Sequence, residues 1–279
     1  MKIGIVGKGG SGKTTLSWLT ALTAQASGHD VYALDADFNQ HLSALFGVKR
    51  DSIAPLSAGR GALVDHVMGT RTDISASQFK KTTKPAAGSR LLQLGVSHPF
   101  LEKHIQTSAS GVKLLRVGEF GSEDKGQHCY HGLTTVADIL LNHLEPLTSK
   151  ETLIVDFTAG VDPFASPITE SFDAFVLVVE PTLKGVEVAR QWRQLLGNNP
   201  VPLTIMVNKV QAQNEVDWVC QQLPGEKISG CLHQDPALRR AERGEIISLA
   251  DLLEVNKHAL LTLWADLKSA ATDIAHRAA

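Results

Sequence analysis

No apolar run in the 279-residue chain approaches the ~18 residues that would suggest a membrane-spanning helix. Basic residues show no excess: 27 Lys and Arg stand against 29 Asp and Glu, for a net charge of −2. A nucleic-acid binder would usually carry a basic surplus, so neither nucleic acid nor a membrane span is expected as a partner. Cysteine is scarce. Cys129, Cys220 and Cys231 are too few and too scattered for a disulfide framework, and a reducing compartment is the simple reading. The amino-terminal MKIGIVG has neither the long apolar segment nor the cleavage site of a signal peptide. A cytoplasmic location is the expectation. Internal repeats and clear linkers are also missing, which leaves one domain over 1–279.

What is present alternates. Short apolar runs rich in β-formers fall at 2–6, 31–35, 112–117, 152–156, 174–179 and 202–207. They are continuous in hydrophobicity, as strands buried on both faces are. Helical patterns fall between or after them at 14–27, 133–144, 184–196 and 214–222. That order predicts an α/β fold, doubly wound, with a mostly parallel central sheet flanked by helices. Residues 49–111 are the least regular part and are expected to form an irregular insertion, with the lysines of KKTTK (80–84) in a solvated loop. Cys220 and Cys231 are expected to be structural, buried as small apolar residues. The apolar positions of 257–275 predict a helix packed on the sheet.

The first strand runs into GKGGSGKT, residues 7–14, and a helix follows. This is the phosphate-loop pattern in the context that it needs. Gly7, Gly9, Gly10 and Gly12, with Ser11, let backbone N–H groups turn toward phosphate oxygens, and the helix adds its positive end. Lys13 is placed to reach the β- and γ-phosphates, the Thr14 hydroxyl to bind Mg²⁺, and Thr15 to help hold the α-phosphate. Two further strands end in acids. LDADFN places Asp35 and Asp37 two apart, and the apolar strand of LIVDFTAG (153–160) ends in Asp156, a position suited to holding magnesium. A pair of loop acids capping the next helix is the competing reading of Asp35 and Asp37.

One feature exceeds what the phosphate loop requires: Lys8, five residues before Lys13. The form GKGGxGKT resembles the deviant Walker A signature of the MinD, ParA and nitrogenase-iron-protein superfamily. The resemblance implies an ATPase that forms a homodimer when ATP is bound, with Lys8 reaching the partner's nucleotide. It implies that Asp37 orients the attacking water, that Asp35 lies in the outer shell of the magnesium, and that Ala159-Gly160 form a switch. Asn208 and Lys209, in MVNKV, resemble the family's adenine-contact pair. ATP is expected over GTP, because residues 208–211 read NKVQ and lack the Asn-Lys-x-Asp motif.

The segment GEFGSEDKGQHCYHGLTTVADILLNHL (118–144) narrows the resemblance. It is similar to the CooC-like nickel-insertion ATPases of carbon monoxide dehydrogenase maturation, which carry a glycine-rich approach, Cys-x-Cys and a helix. RVGEF before it, DFTAGVDPF after it and VVEPTLKGVEVAR further on match as well. The resemblance implies a metallochaperone with a client metalloenzyme such as carbon monoxide dehydrogenase. Here the second cysteine is replaced by His131. Cys129 and His131 from two subunits would supply two thiolates and two imidazoles, a full set for Ni²⁺ or Zn²⁺ at a dimer seam. An interface cysteine beside a polar helix start is the alternative. Two other functions stay open: an electron-transfer ATPase like the iron protein, and a MinD- or ParA-like positioning ATPase.

Overall fold

A strand in the middle of a parallel sheet has both faces covered, so it must be apolar at nearly every position. A computed structural model describes residues 1–37, 39–119, 130–160, 167–197 and 199–278, and its strands follow this rule. The strands are β1 (Lys2–Gly7), β2 (Asp30–Ala36), β3 (Gln106–Thr107), β4 (Lys113–Arg116), β5 (Glu151–Phe157), β6 (Ala174–Val179), β7 (Leu203–Val210) and β8 (Ile228–His233). Every residue of β5 and of β6 is buried. The spatial order is β3-β4-β2-β5-β1-β6-β7-β8. All neighbours are parallel except β3, which pairs antiparallel with β4 at the edge.

Alternation along each strand splits the core in two. Ile3, Ile5, Val31, Ala33 and Ile154 face one layer, with α1 (Lys13–Ala26), α2 (Leu42–Leu45), α8 (Pro236–Glu242) and α9 (Glu254–Ala278). Val6, Tyr32, Leu34, Leu153 and Val155 face the other, with α3 (Arg60–Met68), α4 (Pro99–His104), α5 (Tyr130–Asn142), α6 (Leu183–Leu196) and α7 (Gln213–Gln222). Asp35 and Asp156 have the parity of the first set, so both carboxylates lie on the α1 side. The expected tail helix is α9, which buries Leu260, Leu263, Trp264 and Leu267.

The structure adds detail to one expectation and corrects another. Residues 49–111 contribute α3, α4, β3 and short 3₁₀ turns, and they bury Leu63, Val67, Phe79, Leu92 and Phe100 in the core. The Gly, Ser and Lys that make the stretch look irregular lie between those anchors. Lys80 and Lys84 are exposed as expected, and Lys84 Nζ pairs with Glu170 at 2.6 Å. Cys220 is exposed rather than buried. It follows Val219 by one residue, about 100° round the helix, and so leaves the apolar stripe that Val216 and Val219 form. Cys231, on β8, is half-buried against the core as expected.

Candidate functional site

β1 lies where the chain's connections diverge, with β5 on one side and β6 on the other. Such a switch point opens a crevice at the carboxyl ends of the strands. The glycine loop fills it. Gly10 and Gly12 take φ of 79° and 96°, a backbone region that side chains disfavour. At Gly12 space is also short: a Cβ would lie 2.1 Å from Asn208 Nδ2. α1 then starts at Lys13, which is buried, as is Ser11, whose hydroxyl has no hydrogen-bond partner.

The acids lie beneath the start of α1. Asp35 and Asp156 stand opposite each other on adjacent strands. Ser17 Oγ donates to Asp156 Oδ1 at 3.1 Å, while Asp156 Oδ2 is buried with no partner. Burial pushes the Asp156 carboxyl up to about 7, although the Thr14 hydroxyl and the Lys13 cation favour its charged form. Asp35 is also pushed well up, first by burial and then by Asp156. Both of its oxygens are taken by backbone: Oδ2 accepts from Leu42 N at 2.9 Å and Oδ1 from Asp37 N at 3.2 Å. Asp35 thus braces the loop that carries Asp37, which is half-buried just past β2.

Around the loop, two residues of β7 and one just past β5 hold its carbonyls. Asn208 Nδ2 donates to Ser11 O at 2.7 Å, and Lys209 Nζ donates to Gly10 O at 2.5 Å. Lys209 does so from φ 63°, a strained setting for a residue with a side chain. Gly160 N donates to Gly7 O at 3.0 Å, and Trp192 Nε1 donates to Gly160 O at 2.9 Å. Lys8 does not project freely within the single chain. Its Nζ donates to Glu180 Oε2 at 3.2 Å and to Gly9 O at 3.1 Å.

Beside the loop lies a cavity of about 260 Å³ lined by Gly12, Thr15, Asn208, Lys209, Gln234 and Arg239, among others. Its floor is rigid, because Asp235 caps α8 through Ala237 N at 2.9 Å and also accepts from Asn256 Nδ2 at 2.9 Å. Sequence reasoning missed Glu180, Ser17 and the β8 wall of this cavity. Glu180 could have been found by the rule that found Asp156, since it is the lone acid closing the apolar run AFVLVV. The expected transition-metal pair is not placed. Cys129 lies outside the described residues, and His131 is described only as a backbone position in the first turn of α5. Among the described residues, no group of three or more His, Cys, Asp or Glu is placed to hold a metal ion.

Residues 4–247 match the CobQ/CobB/MinD/ParA nucleotide binding domain. The chain belongs to that family. Among curated relatives it is similar to the carbon monoxide dehydrogenase accessory protein CooC of Rhodospirillum rubrum, at 26% identity over 94% of this chain and 95% of the relative. It is also similar to an uncharacterised ATP-binding protein of Methanocaldococcus jannaschii, at 27% identity over 87% of this chain and 88% of the relative. Two solved structures share the fold. The MinC:MinD complex of Aquifex aeolicus gives a TM-score of 0.61 at 19% identity, covering 96% of this chain and 95% of that one. MinD with Mg-ADP from Pyrococcus horikoshii gives 0.62 at 16% identity, covering 95% of each chain. The family, the loop and the acids together make this an ATP-binding P-loop ATPase of the MinD/ParA superfamily, close to its CooC-like members.

Proposed function

We propose that the protein is an ATP-dependent dimerising ATPase that serves as a metallochaperone, inserting nickel into a client enzyme such as carbon monoxide dehydrogenase. The observation that carries this reading is the similarity to the CooC accessory protein along 94% of the chain, with the two-lysine loop inside it. The proposed roles follow the chemistry of each side chain. Lys13, buried at the start of α1, neutralises the phosphates, while the backbone of Gly7, Gly9, Gly10, Ser11 and Gly12 and the hydroxyl of Thr15 hold them. Asn208 and Lys209 border the cavity that takes the adenine. Asp37 orients the water that attacks the γ-phosphate. Lys8, delivered from the partner subunit, meets the charge that builds on the phosphate oxygens during transfer.

Magnesium fits this set. A magnesium site needs few protein ligands, because substrate phosphates and waters supply the rest. Thr14 and Asp156 would hold the ion, and Asp35, with both oxygens occupied, would act from the outer shell. The unpartnered, buried Asp156 Oδ2 is the atom that such an ion would satisfy. When bound, the ion would neutralise phosphate charge.

Two substitutions test the reading. Lys13→Ala should abolish tight Mg-ATP binding in a titration. Lys8→Ala should keep nucleotide binding and lose both ATP-dependent dimerisation, followed by light scattering, and most hydrolysis. Normal dimerisation of the Lys8 variant would remove the cross-subunit role.

A further inference from the structure

Glu180 directly follows β6 and touches two lysines at the glycine loop, Lys8 within it and Lys209 beside it. One carboxylate oxygen goes to each: Oε2 accepts from Lys8 Nζ at 3.2 Å and Oε1 from Lys209 Nζ at 2.7 Å. The carboxylate is mostly covered, with 16% of its side chain exposed, against 31% for Lys8. Burial works against its charge, but Lys209 and Lys8 outweigh that and hold it below the usual carboxylate range. The backbone around it is fixed. Thr182 N donates to Glu180 O at 2.7 Å, and Thr182 Oγ1 caps α6 through Gly185 N at 3.1 Å. A Cβ at Gly185 would stand 2.4 Å from Glu180 O, so α6 is pressed against this residue.

An ion pair so placed has a consequence for a lysine that must serve another subunit. Lys8 cannot satisfy Glu180 and a nucleotide across an interface with the same three N–H donors aimed one way. We infer that Glu180 is a positioning residue that holds Lys8 within its own subunit until a partner's nucleotide displaces it. The inference rests on the cross-subunit role proposed for Lys8. Lys209 stays on Glu180 and Gly10 O, so the carboxylate keeps one cation and the loop keeps its support after Lys8 leaves. The pair therefore opposes premature dimerisation without being needed for nucleotide binding by the monomer.

The test removes the charge and keeps the shape. Glu180→Gln should tighten the ATP-dependent dimer roughly two- to fivefold, the span expected of one partly exposed ion pair. A gain in affinity is not an effect that a loosened fold produces. Glu180→Asp, which keeps the charge, should stay closer to wild type. A second measurement needs no dimer: reductive methylation of the nucleotide-free protein, read by peptide mass spectrometry. Lys8 should react faster in Glu180→Gln than in wild type by a similar roughly two- to fivefold factor. Unchanged Lys8 reactivity would overturn the inference, and so would a dimer no tighter than wild type. The underlying reading fails differently, by Lys8→Ala dimerising normally. If Lys8→Ala loses the dimer while Glu180→Gln matches wild type in both measurements, only the inference falls.

Discussion

Asp156 carries the sharpest conflict at the scale of single residues. It is buried, it has an unpartnered oxygen, and its carboxyl is pushed up to about 7. The unfolded chain holds the same group near the ordinary 3.8. Between those values the folded state binds the extra proton, so stability falls as pH rises from about 4 through about 7. Asp35 acts in the same direction. In EDTA, the nucleotide-free protein should therefore melt at lower temperature at pH 8 than at pH 6. Asp156→Asn should flatten that slope, and a slope unchanged by the substitution would place the proton elsewhere. Mg-ADP should show the reverse trend, giving a larger stabilisation as pH rises, because the ion competes with that proton. Asp37 tests chemistry instead of stability. Asp37→Asn should trap an ATP-bound dimer and slow turnover on the order of 10²–10⁴-fold, and unchanged turnover in a phosphate-release assay would reassign the water. The P-loop and the strand-end acids were legible in the sequence because each is a polar interruption of an apolar pattern. The partners of those residues were not. Glu180 meets Lys8 across 172 positions and Asn208 meets Ser11 across 197, and no local spacing encodes either encounter.

Elements place these residues, and packing between elements sets the tolerance. The helical patterns at 14–27, 184–196 and 214–222 are observed as α1, α6 and α7 within a residue of those bounds. Long amphipathic stretches between buried strands leave little choice of structure. β3 and the helices of 49–111 were not legible. β3 is two residues long, too short for a pattern, and α3 and α4 are short helices that tertiary contacts stabilise. The junction of β6 with α6 shows how fine the fit is. Gly185→Ala puts a Cβ 2.4 Å from Glu180 O, and one of the two backbones must move. The expected loss is about 1–3 kcal/mol in urea unfolding, as for other overpacked sites. Lys8 methylation should also rise, because Glu180 shifts with its backbone. A variant as stable as wild type would show that the helix start yields without strain.

At the scale of the whole molecule, the proposed function asks one assembly to read both nucleotide and metal. β4 delivers the chain to the same carboxyl end of the sheet as the phosphate loop, with Arg116 opposite Asp35. Arg116 is buried there, and its guanidinium donates to Ile53 O at 2.8 Å and to Gln40 Oε1 at 3.2 Å. It also reaches Glu119 Oε1 at 3.2 Å, at the root of the segment that leads to Cys129. The loop that carries Asp37 and the segment that leads to Cys129 thus share one buried cation. On the proposed function, Cys129 and His131 of two subunits bind one divalent ion, nickel or zinc, per dimer. Thiolate and imidazole bind only when deprotonated, so affinity should fall as pH drops below the histidine range. Cys129→Ser deletes both sulfur ligands of the dimer at once and should remove nearly all binding. His131→Cys restores a four-thiolate set and should keep or strengthen it. The deciding measurement is metal per dimer under reducing conditions, by elemental analysis, for wild type and both variants. Equal metal in wild type and Cys129→Ser would place the ion elsewhere in the chain, and no metal in any of the three would leave an ATPase that matures its client without carrying the ion.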